Sequence, residues 1–177
     1  MTDIEYRTLL PEEVDRVEEI DRTEVIDHIY YLRDGHLVLE DEHWEVRGWP
    51  PDEMVSIKER LRDCMDRGGK GWGAFDGDVL VGIAALDGKW IGSAGKTLQM
   101  YFLHVSHCHR EMGIGTHLTG LVLNRAREMG AERAYISGLP SLNTITFYQG
   151  IGFDLASEVD PELYEQEPED IHMTMDL

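Results

Sequence analysis

The sequence predicts one α/β domain of the α+β kind, spanning residues 1–177 and built from about seven short strands and four helices. Three observations carry this. Apolar runs of strand length lie between segments whose apolar residues recur every three to four positions. An Asp-Gly step joins two of those runs as a tight hairpin. The length supplies one sizeable core and is short for two.

Taken in order, Ile4 to Leu9 alternates loosely and stops before Pro11, which suits a first strand followed by a helix with proline in its first turn. Val14, Val17, Ile20 and Glu24 then mark one face of that helix. From Asp27 to Trp49 the aromatics Tyr30, Tyr31, Trp44 and Trp49 stand among charged residues, broken at Gly35 and Gly48, and the pattern predicts irregular structure or short helical pieces. Pro51 and Asp52 open a clearer helix, with Ile57, Leu61, Cys64 and Met65 on one side until Gly68-Gly69 stops it. Trp72–Phe75 and Val79–Leu86 form the hairpin around Asp76-Gly77-Asp78, and Asp87 to Gly95 reads as a glycine-rich loop. Thr97 to Val105 is a strand apolar enough to be central. A helix from Gly113 to Met129 ends at Gly130. A short buried strand (Ala134–Ser137), a short helix (Leu142–Gln149) and two last strands (Phe153–Ala156, His172–Asp176) complete the chain.

A formal charge of −19 argues against nucleic acid or an anionic membrane as partner, since polyphosphate would be repelled, and favours cationic ligands. The excess is concentrated: no lysine or arginine follows Arg133, and Ser157 to Asp170 carries seven acidic residues, which suits either a solvated face or attraction of a substrate. The first residues lack a secretory pattern and no run spans a bilayer, so a cytoplasmic location without membrane contact is expected. Cys64 and Cys108 occur without zinc spacing; two buried thiols and no metal are expected.

The chemistry concentrates between Leu98 and Thr116, where a buried strand leads through Ser106 to His109 into glycines at a helix start. Unpaired backbone N–H groups and a partial positive charge there suit a phosphate, and Gly113 and Gly115 let it approach the backbone. A tight turn would use the same glycines. Two nucleotide motifs fail: no Gly-Lys-Ser/Thr ending is present, and His117-Leu118 stands where a dinucleotide fold has its third glycine.

Arg110-Glu111-Met112-Gly113-Ile114-Gly115 matches the Arg/Gln-x-x-Gly-x-Gly/Ala signature of the GCN5-related N-acetyltransferases (GNAT), which the chain resembles. Ser141-Leu142-Asn143, Phe147-Tyr148 and Gly152-Phe153 are similar to that family's second acetyl-CoA segment, in the same order and spacing, and the two motifs together cover about a third of the chain. The resemblance implies the GNAT fold: a central, mostly antiparallel mixed sheet of six to seven strands, flanked by about four helices and splayed at strands 4 and 5. It implies acetyl-CoA as acetyl donor. N–H groups from Glu111, Met112, Gly113, Ile114, Gly115 and Thr116 would hold the pyrophosphate, with Arg110 framing the loop. Backbone groups of Leu103 and Val105 would pair with pantetheine, Asn143 would bond it, and Tyr148 would donate a proton to the departing thiolate. Read on helix spacing alone, Tyr148 is equally a core tyrosine. Family members are often dimers, so a homodimer is the assembly implied.

An attacking amine must be neutral, and for a lysine-like amine this costs about 4 kcal/mol at pH 7, at roughly 1.4 per pKa unit. Histone-type members use a glutamate on the central strand; here the matching position is Gln99, which cannot accept a proton. Glu24, Asp21, His28 and His104 are the base candidates, with Glu24 favoured on the expected helix face. Gln99 and Tyr30 are the candidate acceptor contacts, since aromatic faces with nearby carboxylates suit a cation. The acceptor expected is a small cationic amine of aminoglycoside, streptothricin or polyamine type. The alternatives are a protein N-terminus or lysine, or an acyl-CoA-binding sensor without turnover.

Overall fold

Continuous apolar runs suit strands covered on both faces, and such strands make the centre of this molecule. The computed structural model describes residues 3–177. Its main sheet contains β1 (Ile4–Leu9), β4 (Lys70–Asp76), β5 (Val79–Ile91), β6 (Thr97–Val105), β7 (Arg133–Gly138), β8 (Asp154–Leu155) and β9 (Ile171–Asp176). A separate hairpin is formed by β2 (Glu24–Arg33) and β3 (His36–Val46). The helices are α1 (Pro51–Asp66), α2 (Ile114–Glu128), α3 (Leu142–Ile151) and α4 (Pro161–Gln166), with 3-10 turns at Pro11–Glu19 and His107–His109.

The main sheet runs in the order β1-β4-β5-β6-β7-β9-β8. Only β6 and β7 are parallel, and they pair only from Thr97–Gln99 to Arg133–Tyr135. Beyond Gln99 the two strands part, so the rest of β6 presents a strand edge without a neighbour on that side. On one face of the sheet, Ile114, Leu118 and Val122 of α2 pack with Ala74, Ala84, Leu98 and Ile136. Gly82 allows the close approach, since a Cβ there would lie 3.0 Å from Ile114 and 3.2 Å from Leu118. On the other face, Val14 and Val17 of the first 3-10 helix and Leu61 of α1 cover Phe75, Leu80 and Ile83.

The architecture expected from the motifs is present, with seven strands in the main sheet and four α-helices among the described residues. Several local expectations are corrected. Asp27 to Trp49 is largely the β2–β3 hairpin, not irregular or helical structure. Its turn, Asp34-Gly35, has positive φ at both residues (50° and 78°), as a two-residue hairpin loop requires. A register shift between Ile26 and His28 puts the two buried residues, Ile26 and Ile29, three positions apart, and this hides the period of two. Glu24 opens β2 and does not extend the first helix. The region expected as a loop from Asp87 is strand as far as Ile91, because an irregularity between Leu86 and Trp90 absorbs Asp87, Gly88 and Lys89. Asp87 is buried there in a two-pronged bond with Arg67, at 2.7 and 2.6 Å. Of the cysteines, Cys64 is buried and Cys108 is exposed, on the turn after β6. The short helix α4, capped by Asp160, lies in the acidic stretch, where the sequence predicted no element.

Candidate active site

The parting of β6 and β7 opens one cleft of about 1530 Å³, larger than the roughly 300–1,000 Å³ usual for a single small ligand. Its floor is Met100 to Val105. At one end lies the turn into α2. Glu111 and Gly113 both have positive φ (62° and 81°), with Gly113 at the helix N-cap. The first bonded amide is that of His117, which donates to the Gly113 carbonyl at 3.0 Å. The N–H groups from Glu111 to Thr116 find no acceptor among the described residues, and six such donors at a helix start form an anion cradle. Arg110 braces the turn by donating from Nε to the Val105 carbonyl at 3.1 Å.

Asn143 and Tyr148 of α3 also line the cleft. Ser141 caps this helix, accepting from the Thr144 amide at 3.2 Å. Tyr148 is 8% exposed and is held edge-on by Phe147 and Phe153. Its hydroxyl has no hydrogen-bond partner among the described residues. Burial pushes its pKa up, so it stays a phenol able to donate.

The rest of the lining is assembled from separate segments. Arg22 and Glu24 come from the approach to β2, Trp49, Glu53 and Ile57 from around α1, and Glu167 and Asp170 from the acidic C-terminal stretch. Trp49 is fixed by donating its indole N–H to the Ile20 carbonyl at 2.8 Å. Arg22 lies over its ring at 5.1 Å. The Glu24 carboxylate is 3.5 Å from Arg110 Nη1, which places it beside the turn into α2. His104 packs against Trp49 and Phe102; burial, with Arg22 and Arg110 nearby, pushes its pKa down to about 3. Its imidazole is therefore neutral near pH 7 and a weak base.

Of the residues marked from the sequence, Leu103, Val105, Arg110, Glu111, Gly113, Ile114, Gly115, Thr116, Asn143, Tyr148 and Glu24 line this cleft. Met112 lies within the turn, with its side chain exposed. Four candidates lie elsewhere. Gln99 is 3% exposed and borders a different depression, with Arg60, Arg67 and Asp87. A β-bulge near Tyr101, between the pairs Leu86–Met100 and Ala85–Phe102, turns the following residues over. The Tyr30 amide donates to the Pro140 carbonyl at 2.7 Å, and its ring packs on the main core. His28 is exposed beside Asp41, and Asp21 is tied to Thr23, whose hydroxyl and amide hold its carboxyl below the usual range. Sequence reasoning missed Arg22, Glu53, Glu167 and Asp170. Only the seven acids of the C-terminal stretch gave a signal, and it did not separate lining residues from solvated ones.

Comparison with known proteins agrees with this geometry. A profile of the Acetyltransferase (GNAT) family matches residues 31–153. N-acetyltransferase family 8 member 2 of Rattus norvegicus is 40% identical over 102 residues, which is 56% of this chain and 45% of that protein. N-acetyltransferase 8B of the same species is 34% identical over 129 residues, 68% of this chain and 58% of that one. The chain thus spans about half the length of the curated relatives it matches. Among solved structures, nourseothricin acetyltransferase superposes with a TM-score of 0.73 at 22% identity, covering 99% of both chains. A Bacillus anthracis str. Ames protein, named as a streptothricin acetyltransferase and solved with acetyl coenzyme A, gives 0.74 at 16% identity, also covering 99% of both. By sequence profile and by fold, the chain belongs to the GNAT acetyltransferase family.

Proposed function

We propose that the chain is an acetyl-CoA-dependent N-acetyltransferase acting on the primary amine of a small cationic molecule by direct attack. One observation carries this reading. One cleft is lined by the turn that carries the unbonded amides of Glu111–Thr116, by the free edge of β6, by Tyr148, and by Glu24, Trp49, Glu53, Glu167 and Asp170. The amides suit a pyrophosphate, and the open β6 edge at Leu103 and Val105 suits an amide-bearing pantetheine arm that adds like a strand. Asn143 and Tyr148 line the same cleft, which suits Asn143 to bond that arm and the Tyr148 phenol to protonate the leaving thiolate. Glu24, Glu53, Glu167 and Asp170 outnumber the two guanidiniums of the same lining, Arg22 and Arg110, which are paired with Glu53 and Glu24, and this acidic balance favours a cation. The assignment of a small acceptor is supported by fold likeness to proteins named for nourseothricin and streptothricin. Thiol release from acetyl-CoA, followed across a panel of amines, lysine peptides and N-terminal peptides, tests it. Release with small polycationic amines is expected; release with peptides alone would transfer the reading to protein acetylation.

A further inference from the structure

Glu167 and Asp170 come from the acidic segment between α4 and β9, and both line the cleft. They arrive there because β9 pairs antiparallel to β7, with Ile171 opposite Gly138. This sets Asp170 just outside the ladder, where β6 and β7 are apart. Ser137, on β7, donates to Glu167 Oε2 at 2.5 Å and fixes that carboxylate. The Asp170 amide donates to the Glu167 carbonyl at 3.3 Å, which holds the two residues in one tight turn with their carboxyls close enough to interact. The Asp170 charge reaches the Tyr148 phenol, the nine-tenths buried group whose hydroxyl has no partner and faces the cleft. A proton acceptor and a proton donor thus stand on the same gap.

We propose that Asp170 is the general base that takes a proton from the acceptor's ammonium group, with Glu167 as the positioning residue that holds it. This rests on the transferase reading above. The step balances as follows. The Asp170 carboxylate removes one N–H proton and leaves the nitrogen lone pair. That pair forms the N–C bond as the thioester C=O opens to an alkoxide. On collapse the C–S bond breaks and the thiolate takes the Tyr148 proton. The second proton leaving the nitrogen restores the phenol. Glu24 is less suited to this role, because its charge is engaged by Arg110. His104 is less suited because it is enclosed by Trp49 and Phe102.

The groups that face Asp170 favour its protonated form. Burial acts first, then the carboxylates of Glu167 and Glu169, and these raise its pKa to about 7. Tyr148 faces it from α3 as a neutral phenol, and Tyr101 faces Glu167 from β6, likewise pushed up, to about 12. A base with this pKa is well matched to work near neutrality.

The test is the pH dependence of kcat/KM for the amine, measured by thiol release in wild type, Asp170→Asn and Glu167→Gln, with acetyl-CoA affinity measured in parallel. The wild-type value is expected to climb with pH and level off near pH 7. Asp170→Asn should be slower by about 10²–10⁴-fold and keep climbing above pH 7, because the amine must then lose its proton to solvent; its acetyl-CoA affinity should stay within about twofold. In Glu167→Gln, which keeps an acceptor for Ser137 and removes a like charge, the levelling should move to lower pH. If Asp170→Asn does not fold, the direction of the Glu167→Gln shift decides the matter, and an unmoved profile overturns the proposal. Equal rates and identical profiles in wild type and Asp170→Asn also overturn it and leave the transferase reading standing. Absence of thiol release from wild type with every amine overturns both.

Discussion

Two parts of the cleft lining are built differently. At the turn into α2 the proposed contact is by backbone: consecutive amides freed by Glu111 and Gly113 at positive φ, on one short stretch of chain. In the rest of the lining the proposed contact is by side chains drawn from four separated places, the start of β2, the start of α1, β6 and the segment before β9. A backbone site depends on conformation and tolerates few residue types. A side-chain wall can be rebuilt residue by residue, so one donor site can serve many acceptors.

Substitutions in the two parts should therefore fail differently. The largest effect is expected from Gly113→Val. A branched residue at φ 81° strains the turn, and losing two amide-to-phosphate bonds at about 1.5–3 kcal/mol each should weaken CoA binding a hundredfold or more. Titration with CoA checks this; unchanged affinity removes the pyrophosphate assignment. Next, Tyr148→Phe should lower turnover at saturating acetyl-CoA by about 10²-fold with little change in CoA affinity; equal turnover would remove it as the acid. Glu24→Gln breaks a partly exposed ion pair with Arg110, worth about 0–1 kcal/mol, and a change of a few-fold in KM is expected. Gln99→Glu should leave the pH profile of turnover as it is, because Gln99 lies outside the cleft. It should instead lower the melting temperature by placing a charge at a site 3% exposed.

Asp170 gives a stability test independent of turnover. Its carboxyl ionises near pH 4 in the unfolded chain and near 7 in the folded one. Between those values the folded state binds the extra proton, so this group makes stability fall as pH rises from about 4 to 7. A melting series across that range should slope downward more in wild type than in Asp170→Asn; parallel curves would contradict the placement.

The same contrast explains what the sequence made legible. Strand β6 was readable because both its faces are apolar, α1 and α2 because their apolar stripes end at glycine, and the phosphate loop because glycine serves a conformation few other residues adopt. The β2–β3 hairpin was not, although Asp34-Gly35 is a turn signal, because the shift after Ile26 breaks the alternation. Gln99 was misplaced because an ungapped match cannot register the bulge near Tyr101. Asp170 stood among seven acids with nothing local to mark it; only the pairing of β9 with β7, a contact distant in sequence, carries it into the cleft.

The most direct measurement of the central claim is free-thiol release from acetyl-CoA by the wild-type chain with a panel of primary amines. Release that saturates with both acetyl-CoA and a small cationic amine is the predicted result. Tight binding of acetyl-CoA with no thiol released by any amine would contradict it and mark the chain as an acyl-CoA-binding module.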